Sequence, residues 1–235
     1  MKHKEIKLPF NIRNTYLEKT LAARPFVILS NWAAQGMRYM NGFERTYRLV
    51  SEAILLSVLY FGIFKDIRFG LPAAFLIAHT MFWIFNGHIF VLSRFLSERS
   101  LSRREFIAYI EGLRGRSMKK EYLAGTLLFG SLSRGKFSAF SDLDVRIIRR
   151  KDIFSSILAC NYCAFERLRA FTRAFPLDIY VFDLEEIGAK MRPDEDPIVL
   201  SDPRGVIARD HKGKTVGYPE FIAEFSTDAM RGGKA

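Results

Sequence analysis

The chain has 235 residues, of which 49% are hydrophobic and 26% are charged. That apolar fraction is sufficient for a sizeable core, and it excludes a globally disordered chain. The formal net charge of +11 indicates an anionic partner, such as nucleic acid, an acidic membrane surface or a phosphorylated substrate. Charge alone does not choose among these partners.

The two cysteines, Cys160 and Cys163, form a C-x-x-C pair in an apolar, helix-like stretch. A redox site or half of a zinc site would have this spacing. The sequence contains no second pair, and its four histidines lie far away along the chain. We therefore interpret both cysteines as ordinary buried thiols in a reducing cytosol.

Residues 1–48 form a basic segment with nine Lys or Arg, three Glu and no Asp. No apolar stretch of the signal-peptide type follows Met1, so we do not expect a cleaved leader. Around Trp32, apolar residues are interspersed with arginines, which predicts a partly helical segment. It would either lie at a membrane interface or pack on the globular domain.

Residues 49–96 are predicted to be a membrane-associated apolar helical hairpin. Residues 53–64 and 69–93 are free of charge and are separated by Lys65-Asp66-Ile67-Arg68. A spanning helix needs roughly 20 apolar residues, a length that the second stretch reaches and that the first reaches only by including residues 49–52. The hairpin would cross the membrane twice, lie in the interface, or form a buried helical pair of a soluble protein. Both flanks are basic, and the positive-inside tendency then places them, with the domain that follows, at the cytoplasmic side of the cytoplasmic membrane.

Residues 97–225 are predicted to form an α+β domain, a small mixed sheet with flanking helices, before a flexible tail over 226–235. The periodicity predicts two helices, at about 102–114 and 152–174. Strands are predicted at Leu123–Phe129, 142–149 and Leu177–Phe182, with a short edge strand at 197–200 and a turn at 202–205.

A glycine and a serine, Gly130 and Ser131, follow the first predicted strand directly. Glycine lets the backbone approach a ligand closely, and the N–H groups of a helical turn that opens at a serine attract anions. Arg134 adds positive charge nearby, and Gly135 follows it. This pattern favours a site for the phosphates of a nucleoside triphosphate.

Three aspartates are candidates for holding a metal ion. Asp142 and Asp144 are two residues apart on one predicted strand, so their side chains share a face. Asp178 lies on another predicted strand and would complete the cluster if the two strands are neighbours. Such carboxylates suit Mg²⁺ and two-metal phosphoryl transfer. Asp183 is a nearby competitor, but it is better suited to cap a helix.

Together these residues resemble the polymerase β-like nucleotidyltransferases, and most closely their minimal type. The pattern is Gly-Ser, ten residues, Asp-x-Asp and a later apolar-Asp-apolar strand, and the likeness covers roughly residues 105–210. The resemblance implies the nucleotidyltransferase type of fold, with two Mg²⁺ ions or alternatively Mn²⁺. It assigns Asp142, Asp144 and Asp178 to catalysis and metal binding, and it assigns the nucleotide to Gly130, Ser131, Arg134 and Gly135.

The resemblance implies transfer of a nucleoside monophosphate from an NTP to a hydroxyl acceptor, and the apolar segment over residues 49–93 indicates an acceptor at the cytoplasmic membrane face. A lipid, a lipid-linked glycan precursor or a membrane protein would serve as acceptor. Two alternatives remain open, an antitoxin-like adenylyltransferase acting on a partner protein and an inactive, membrane-anchored nucleotide sensor. Nucleic acid is not expected as a partner, since the domain has no basic patch interleaved with aromatic residues. The first hundred residues depart from the family pattern.

Overall fold

The computed structural model describes residues 24–85, 101–138, 141–190, 192–211 and 213–231. Predictions that fall on residues 1–23, 86–100 and 232–235 lie outside this part of the chain. The first described segment is helical. Helix α1 spans Arg24–Ala34, helix α2 spans Gly42–Leu59 and continues as a π-helical turn over Tyr60–Phe64, and helix α3 spans Gly70–Phe85.

The remaining elements alternate around one sheet. In chain order they are α4 (Arg103–Ser117), β1 (Leu123–Phe129), α5 (Gly130–Ser133), β2 (Leu143–Arg149), α6 (Ile153–Thr172), β3 (Leu177–Phe182), α7 (Glu186–Lys190), β4 (Ile198–Ser201), α8 (Val206–Asp210), β5 (Val216–Gly217) and α9 (Tyr218–Arg231). The strand order is β3-β2-β1-β4-β5. Strand β1 is antiparallel to β2 and β4, whereas β2 runs parallel to β3 and β4 runs parallel to β5. The predicted mixed sheet with flanking helices is confirmed.

Local sequence signals explain where the long helices begin. Ser102 and Glu105 form a reciprocal capping box at the start of α4, which satisfies N–H groups that the first turn leaves without partners. Asp152 caps α6 by accepting a hydrogen bond from the backbone N–H of Ser155. Both helices therefore begin within a residue of the predicted position.

Apolar side chains cover both faces of the sheet. On one face, Leu143, Val145 and Ile147 of β2 belong to a core that includes residues of α4, α6 and α9. On the other face, Phe129 and Tyr180 belong to a second core together with Met40, which precedes α2. Met40 is 3% exposed. The N-terminal segment therefore packs on the globular domain, which was one of the two alternatives for it.

Helix α2 has its polar and apolar sides reversed relative to a helix of a soluble protein. Its buried residues are Glu44, Arg48 and Glu52, which recur every fourth position and so share one face. Four of its large apolar residues are 48–62% exposed, namely Leu49, Val50, Ile54 and Val58. Helix α2 and the π-helical turn together form one helix of 23 residues with a mean hydropathy of 1.5, long and apolar enough to cross a membrane by length and composition.

Buried polar groups of α2 pair with groups from the segments that precede and follow it. Arg48 donates to the backbone oxygen of Gln35 at 2.8 Å and to its side-chain oxygen at 2.5 Å. The carboxylate of Glu52 lies 2.5 Å from Nδ1 of His79, whose Nε2 lies 3.0 Å from the backbone oxygen of Trp32. Helices α1, α2 and α3 are therefore joined by a polar interior.

Glu44 joins the hairpin to the sheet. Strand β3 lies at one edge of the sheet, where backbone groups on the outer side lack a neighbouring strand. The carboxylate of Glu44 accepts the backbone N–H of Val181 at 2.8 Å. Arg167 of α6 donates to Glu44 and to the backbone oxygen of Ile179. This buried ion pair thus binds backbone groups of β3 that a further strand would otherwise bind.

Three details differ from the sequence predictions. Strand β4 is not an edge strand, because β5 pairs with its other side. The boundary placed between residues 48 and 49 falls inside α2. Helix α9 continues to Arg231, past the start of the tail predicted at residue 226, because Phe221 and Phe225 bury one side of it in the core.

Candidate active site

Strand register brings two of the three predicted aspartates together. Asp144 of β2 is paired with Asp178 of β3, and Phe129 at the end of β1 is paired with Asp144. The last residue of β1 and the first two residues of β2 and of β3 therefore lie side by side at one end of the sheet. The carboxyl groups of Asp144 and Asp178 lie close enough for Asp178 to act on the pKa of Asp144.

Asp144 is the more buried member of this carboxylate pair. Burial raises the pKa of Asp144 to about 6, and the neighbouring charge of Asp178 acts in the same direction. Arg146 opposes the rise in pKa, while Glu195 adds to it. Two acidic groups forced this close together favour either a shared proton or a bound cation.

The backbone of Gly130 lies close to the carboxylate of Asp144. Its φ angle is +78°, and a Cβ atom built on it would lie 1.8 Å from Oδ2 of Asp144. A left-handed backbone and a collision of this kind exclude every other residue from this position without rearrangement. Close backbone approach at Gly130 was predicted toward a ligand, and the group that the backbone approaches in the structure is the carboxylate of Asp144.

The short helix α5 carries the other residues predicted to bind phosphate. Ser131 is half-buried in this turn, and its backbone oxygen accepts the N–H of Lys136 at 2.8 Å. Arg134 follows α5 and donates from Nε to the backbone oxygen of Gly130 at 2.9 Å. Gly135 is exposed with φ +62°, and an added Cβ would meet nothing within 4 Å. Gly135 therefore contributes its backbone conformation, and its N–H donates to the backbone oxygen of Leu132 at 3.1 Å.

Glu195 belongs to the site and was not predicted. It is 7% exposed, and its carboxylate accepts the backbone N–H of Gly130 at 2.5 Å and the hydroxyl of Ser133 at 3.0 Å. The carboxylate of Glu195 thus accepts a backbone N–H that was predicted to bind a phosphate. Glu195 lies in the irregular segment before β4, between Asp194 and Asp196, and no periodicity in the sequence distinguishes it from them.

Arg146 also belongs to the site and could have been found from strand alternation, since it follows Asp144 by two residues on the same face. One terminal nitrogen lies 3.9 Å from Oδ2 of Asp178, and the other donates to the backbone oxygen of Asp178 at 3.2 Å. The guanidinium lies over the rings of Phe129, Tyr180 and Phe182 at 6.0, 5.1 and 5.3 Å from their centroids. These rings hold a permanent positive charge beside the carboxylate pair.

Asp142, the third predicted aspartate, immediately precedes β2 and is half-buried. Ser141 before it is buried, and its hydroxyl accepts the backbone N–H of Ser138 at 2.9 Å. Within the described ranges, no group of three or more His, Cys, Asp or Glu side chains converges closely enough to hold a metal ion. Asp144 and Asp178 thus form a two-carboxylate centre, and Asp142 is not grouped with them.

Asp183, the competing aspartate, is separated from the site. It follows the last residue of β3, whereas Asp178 lies near its first, and its carboxylate is paired with Arg149 at 2.5 Å. Its backbone N–H donates to Glu186 of α7 at 2.8 Å. Cys160 and Cys163 are buried free thiols on α6, as predicted, and burial raises the pKa of Cys160 to about 12.

Comparison of the chain with protein-family models, with curated proteins and with solved structures gives no match. The function is therefore inferred from the chemistry of the residues that converge at the end of the sheet.

Proposed function

We propose that this protein is a Mg²⁺-dependent nucleotidyltransferase of the polymerase β-like type. It would transfer a nucleoside monophosphate from an NTP to a hydroxyl acceptor at the cytoplasmic face of the membrane. The observation that carries the proposal is the pairing of Asp144 with Asp178 directly beneath the left-handed Gly130.

The carboxylate pair fits a divalent cation. Burial and the charge of Asp178 raise the pKa of Asp144, so a cation that neutralises the two carboxylates stabilises the site. Asp144 and Asp178 would hold the ion, and Asp142 is the candidate for an additional ligand. Bound Mg²⁺ supplies charge neutralisation of the phosphates and a lower pKa for the acceptor hydroxyl.

The protein groups have distinct parts in the reaction. The acceptor oxygen attacks the α-phosphorus, the bond to the β-phosphate oxygen breaks, and pyrophosphate leaves. The acceptor proton passes to a carboxylate or to water, and Asp178, whose side chain is 39% exposed, is the accessible member of the pair. The helical turn at Ser131 and the nearby Arg134 provide donors and positive charge for the phosphates.

The membrane part of the proposal rests on the reversed polarity of α2. A helix that buries Glu44, Arg48 and Glu52 and exposes Ile54 and Val58 is poorly suited to water on its outer side. Polar groups that face the interior of a helical bundle and apolar groups that face outward are typical of a lipid environment.

Proximity of the hairpin to the site supports an acceptor held at the membrane. Tyr39, in the segment before α2, is 62% exposed, and its ring centroid lies 6.1 Å from that of Tyr180. Tyr180 follows Asp178 by two residues and so lies on the same face of β3. The segment that leads into α2 therefore borders the face that carries the carboxylate pair, where a lipid-linked or envelope glycan acceptor would be presented.

The test uses full-length protein in nanodiscs with each of four α-labelled NTPs, Mg²⁺ and a membrane extract. We expect label transfer to an acceptor with release of pyrophosphate, and loss of at least about 100-fold in turnover for Asp144→Asn and Asp178→Asn. Asp210→Asn, an exposed aspartate at the end of α8, is the matched control. Turnover that survives both site substitutions would refute the proposal.

One observation favours a second candidate, a catalytically inactive nucleotide sensor. Glu195 occupies the N–H of Gly130, and in the described part of the chain the metal-binding side chains come together only as a pair. Calorimetry with NTP and Mg²⁺, beside the turnover assay, separates the two functions. Binding that Asp144→Asn abolishes, without pyrophosphate release for any acceptor tried, identifies the sensor.

A further inference from the structure

A cavity of about 570 Å³ lies between the C-terminal end of α4 and the outer side of α6. Tyr122, which lines it, immediately precedes β1, whereas Gly130 of the candidate active site immediately follows β1. Seven residues of strand, about 23 Å, therefore separate the cavity from the site. Neither Asp144 nor Asp178 lines the cavity.

Positive charge predominates in the lining of this cavity, which includes Arg116, Lys119, Lys120 and Arg169 against a single Glu166. Arg116 forms a bidentate pair with Glu166, with both nitrogen–oxygen distances at 2.7 Å, and Arg169 lies 3.4 Å from the same carboxylate. Neither lysine has an ion-pair partner among the residues that the structure describes. The cavity thus retains an excess of cationic donors.

Tyr162 supplies a second, independent indication of a ligand. The residue is 5% exposed and lines the cavity. Its hydroxyl is buried without a hydrogen-bond partner in the described part of the chain. Burial raises the pKa of Tyr162 well above its usual range, so the group remains an O–H donor. Buried donors are normally satisfied, and an anionic ligand in this cavity would satisfy this one.

Apolar side chains of α6 also line the cavity. Phe165 lines it and is 65% exposed, and Leu158, two helical turns earlier, lies on the same face of α6 and also lines it. These residues continue an apolar strip along the outer side of α6, whose other members are Ile153, Phe154, Ile157 and Leu168. Asn161, also in the lining, accepts the hydroxyl of Tyr47 from α2 at 2.5 Å. The cavity is therefore joined directly to the hairpin.

We propose that this cavity binds an anionic phospholipid, with the headgroup phosphate at Lys119, Lys120 and Tyr162 and an acyl chain along Phe165. Cationic donors beside an exposed apolar strip match a ligand that has a negative head and a hydrocarbon tail. The attachment of the cavity to the apolar hairpin favours a membrane lipid over a soluble phosphate compound. The site goes beyond the proposed transferase activity and does not depend on it.

The experiment titrates full-length protein in neutral detergent micelles with phosphatidylglycerol and follows thermal unfolding. Phosphatidylcholine and inorganic phosphate serve as separate arms. We expect saturable stabilisation by phosphatidylglycerol alone. Lys119→Gln with Lys120→Gln should weaken apparent affinity about 30-fold, since each lysine near an anionic surface contributes on the order of fivefold.

Two further variants keep the proposal falsifiable. Tyr162→Phe removes only the hydroxyl and should weaken phosphatidylglycerol binding several-fold with its unliganded unfolding temperature little changed. Arg204→Gln with Lys214→Gln removes the same charge from exposed positions elsewhere and should bind as the unmodified protein does. Equal weakening by the two charge-removal pairs, or equal stabilisation by inorganic phosphate, would overturn the proposal. Because no turnover is measured, failure here leaves the transferase proposal unaffected.

Discussion

Gly130 and Asp144 face each other across the end of the sheet so closely that a methyl group on Gly130 would stand 1.8 Å from Oδ2 of Asp144. The contact ties the conformation of the turn to the position of the carboxylate. The absence of a side chain at residue 130 is thus a condition for the carboxylate pair to exist in its present geometry.

Gly130→Ala should therefore disable the site. Alanine at φ +78° costs about 1–3 kcal/mol of strain, and its methyl group displaces Asp144. We expect a lower unfolding temperature and loss of nucleotide turnover. Gly135→Ala is the control, since it meets the same left-handed backbone at φ +62° with open space around it. Activity in the Gly130 variant equal to that of the Gly135 variant would argue against the contact.

Asp144 should make stability depend on pH. Its pKa is raised from 3.8 to about 6 in the folded protein, so the folded state binds more protons than the unfolded state between these values. The contribution is complete below pH about 4 and is lost as the pH rises through about 6, on the order of 2–3 kcal/mol. Metal-free unfolding at pH 4–7 measures it.

Asp144→Asn should flatten this part of the pH profile, because the asparagine does not titrate. Added Mg²⁺ should stabilise the unmodified protein more at pH 7 than at pH 5, since the cation competes with the proton. An unchanged profile in the Asn variant would show that another group causes the pH dependence.

Glu195 should weaken nucleotide binding by placing a negative charge at the N–H of Gly130. Glu195→Gln keeps an acceptor for that N–H and removes the charge, so we expect Kd for the NTP to fall several-fold. Asp194→Asn removes an exposed charge next in sequence, paired with Lys136 at 3.4 Å, and controls for long-range attraction. Calorimetry compares the two variants, and an equal effect would assign the change to general electrostatics.

Sequence patterns predicted the local elements well where apolar alternation and caps act over a few residues. Strands Leu123–Phe129 and Leu177–Phe182 are found at their predicted bounds, because both are apolar runs ended by turn residues. The sequence did not predict that β2 and β3 are neighbours. The aspartate cluster was predicted only on the condition that they are. Parallel pairing is a long-range property, and no residue in either strand specifies it.

The sequence patterns did not predict the residues whose contacts lie far away along the chain. Glu195 is 65 positions from Gly130, and its role depends on how an irregular segment folds back. Glu44 is 137 positions from Val181 and lies in a segment read as part of a separate basic region. Its contact with β3 also means that removing the N-terminal helices would expose a sheet edge, so deletion does not isolate the domain.

The exposed apolar side of α2 should be sensitive to charge only if lipid covers it. Ile54→Asp and Val58→Asp replace side chains that are 60% and 62% exposed. In water such changes usually alter stability by less than about 0.5 kcal/mol, whereas aspartate deep in a bilayer costs about 2.5–3.5 kcal/mol. We expect both variants to shift from the membrane to the soluble fraction in flotation. Met118→Asp, at a position 52% exposed on the domain, should float as before.

Glu44 and Arg167 should stabilise the edge of β3 as a unit. Removing one partner leaves a buried charge without compensation, so Glu44→Gln and Arg167→Met should each cost about 3–5 kcal/mol. The double variant should cost clearly less than their sum, because no isolated charge remains buried. Unfolding in denaturant measures the cycle, and amide exchange at Val181, whose N–H donates to Glu44, reports the strand itself. Additive losses with unchanged exchange at Val181 would mean that the pair does not protect the edge, and Asp178 on the same strand would then owe its position to β2 alone.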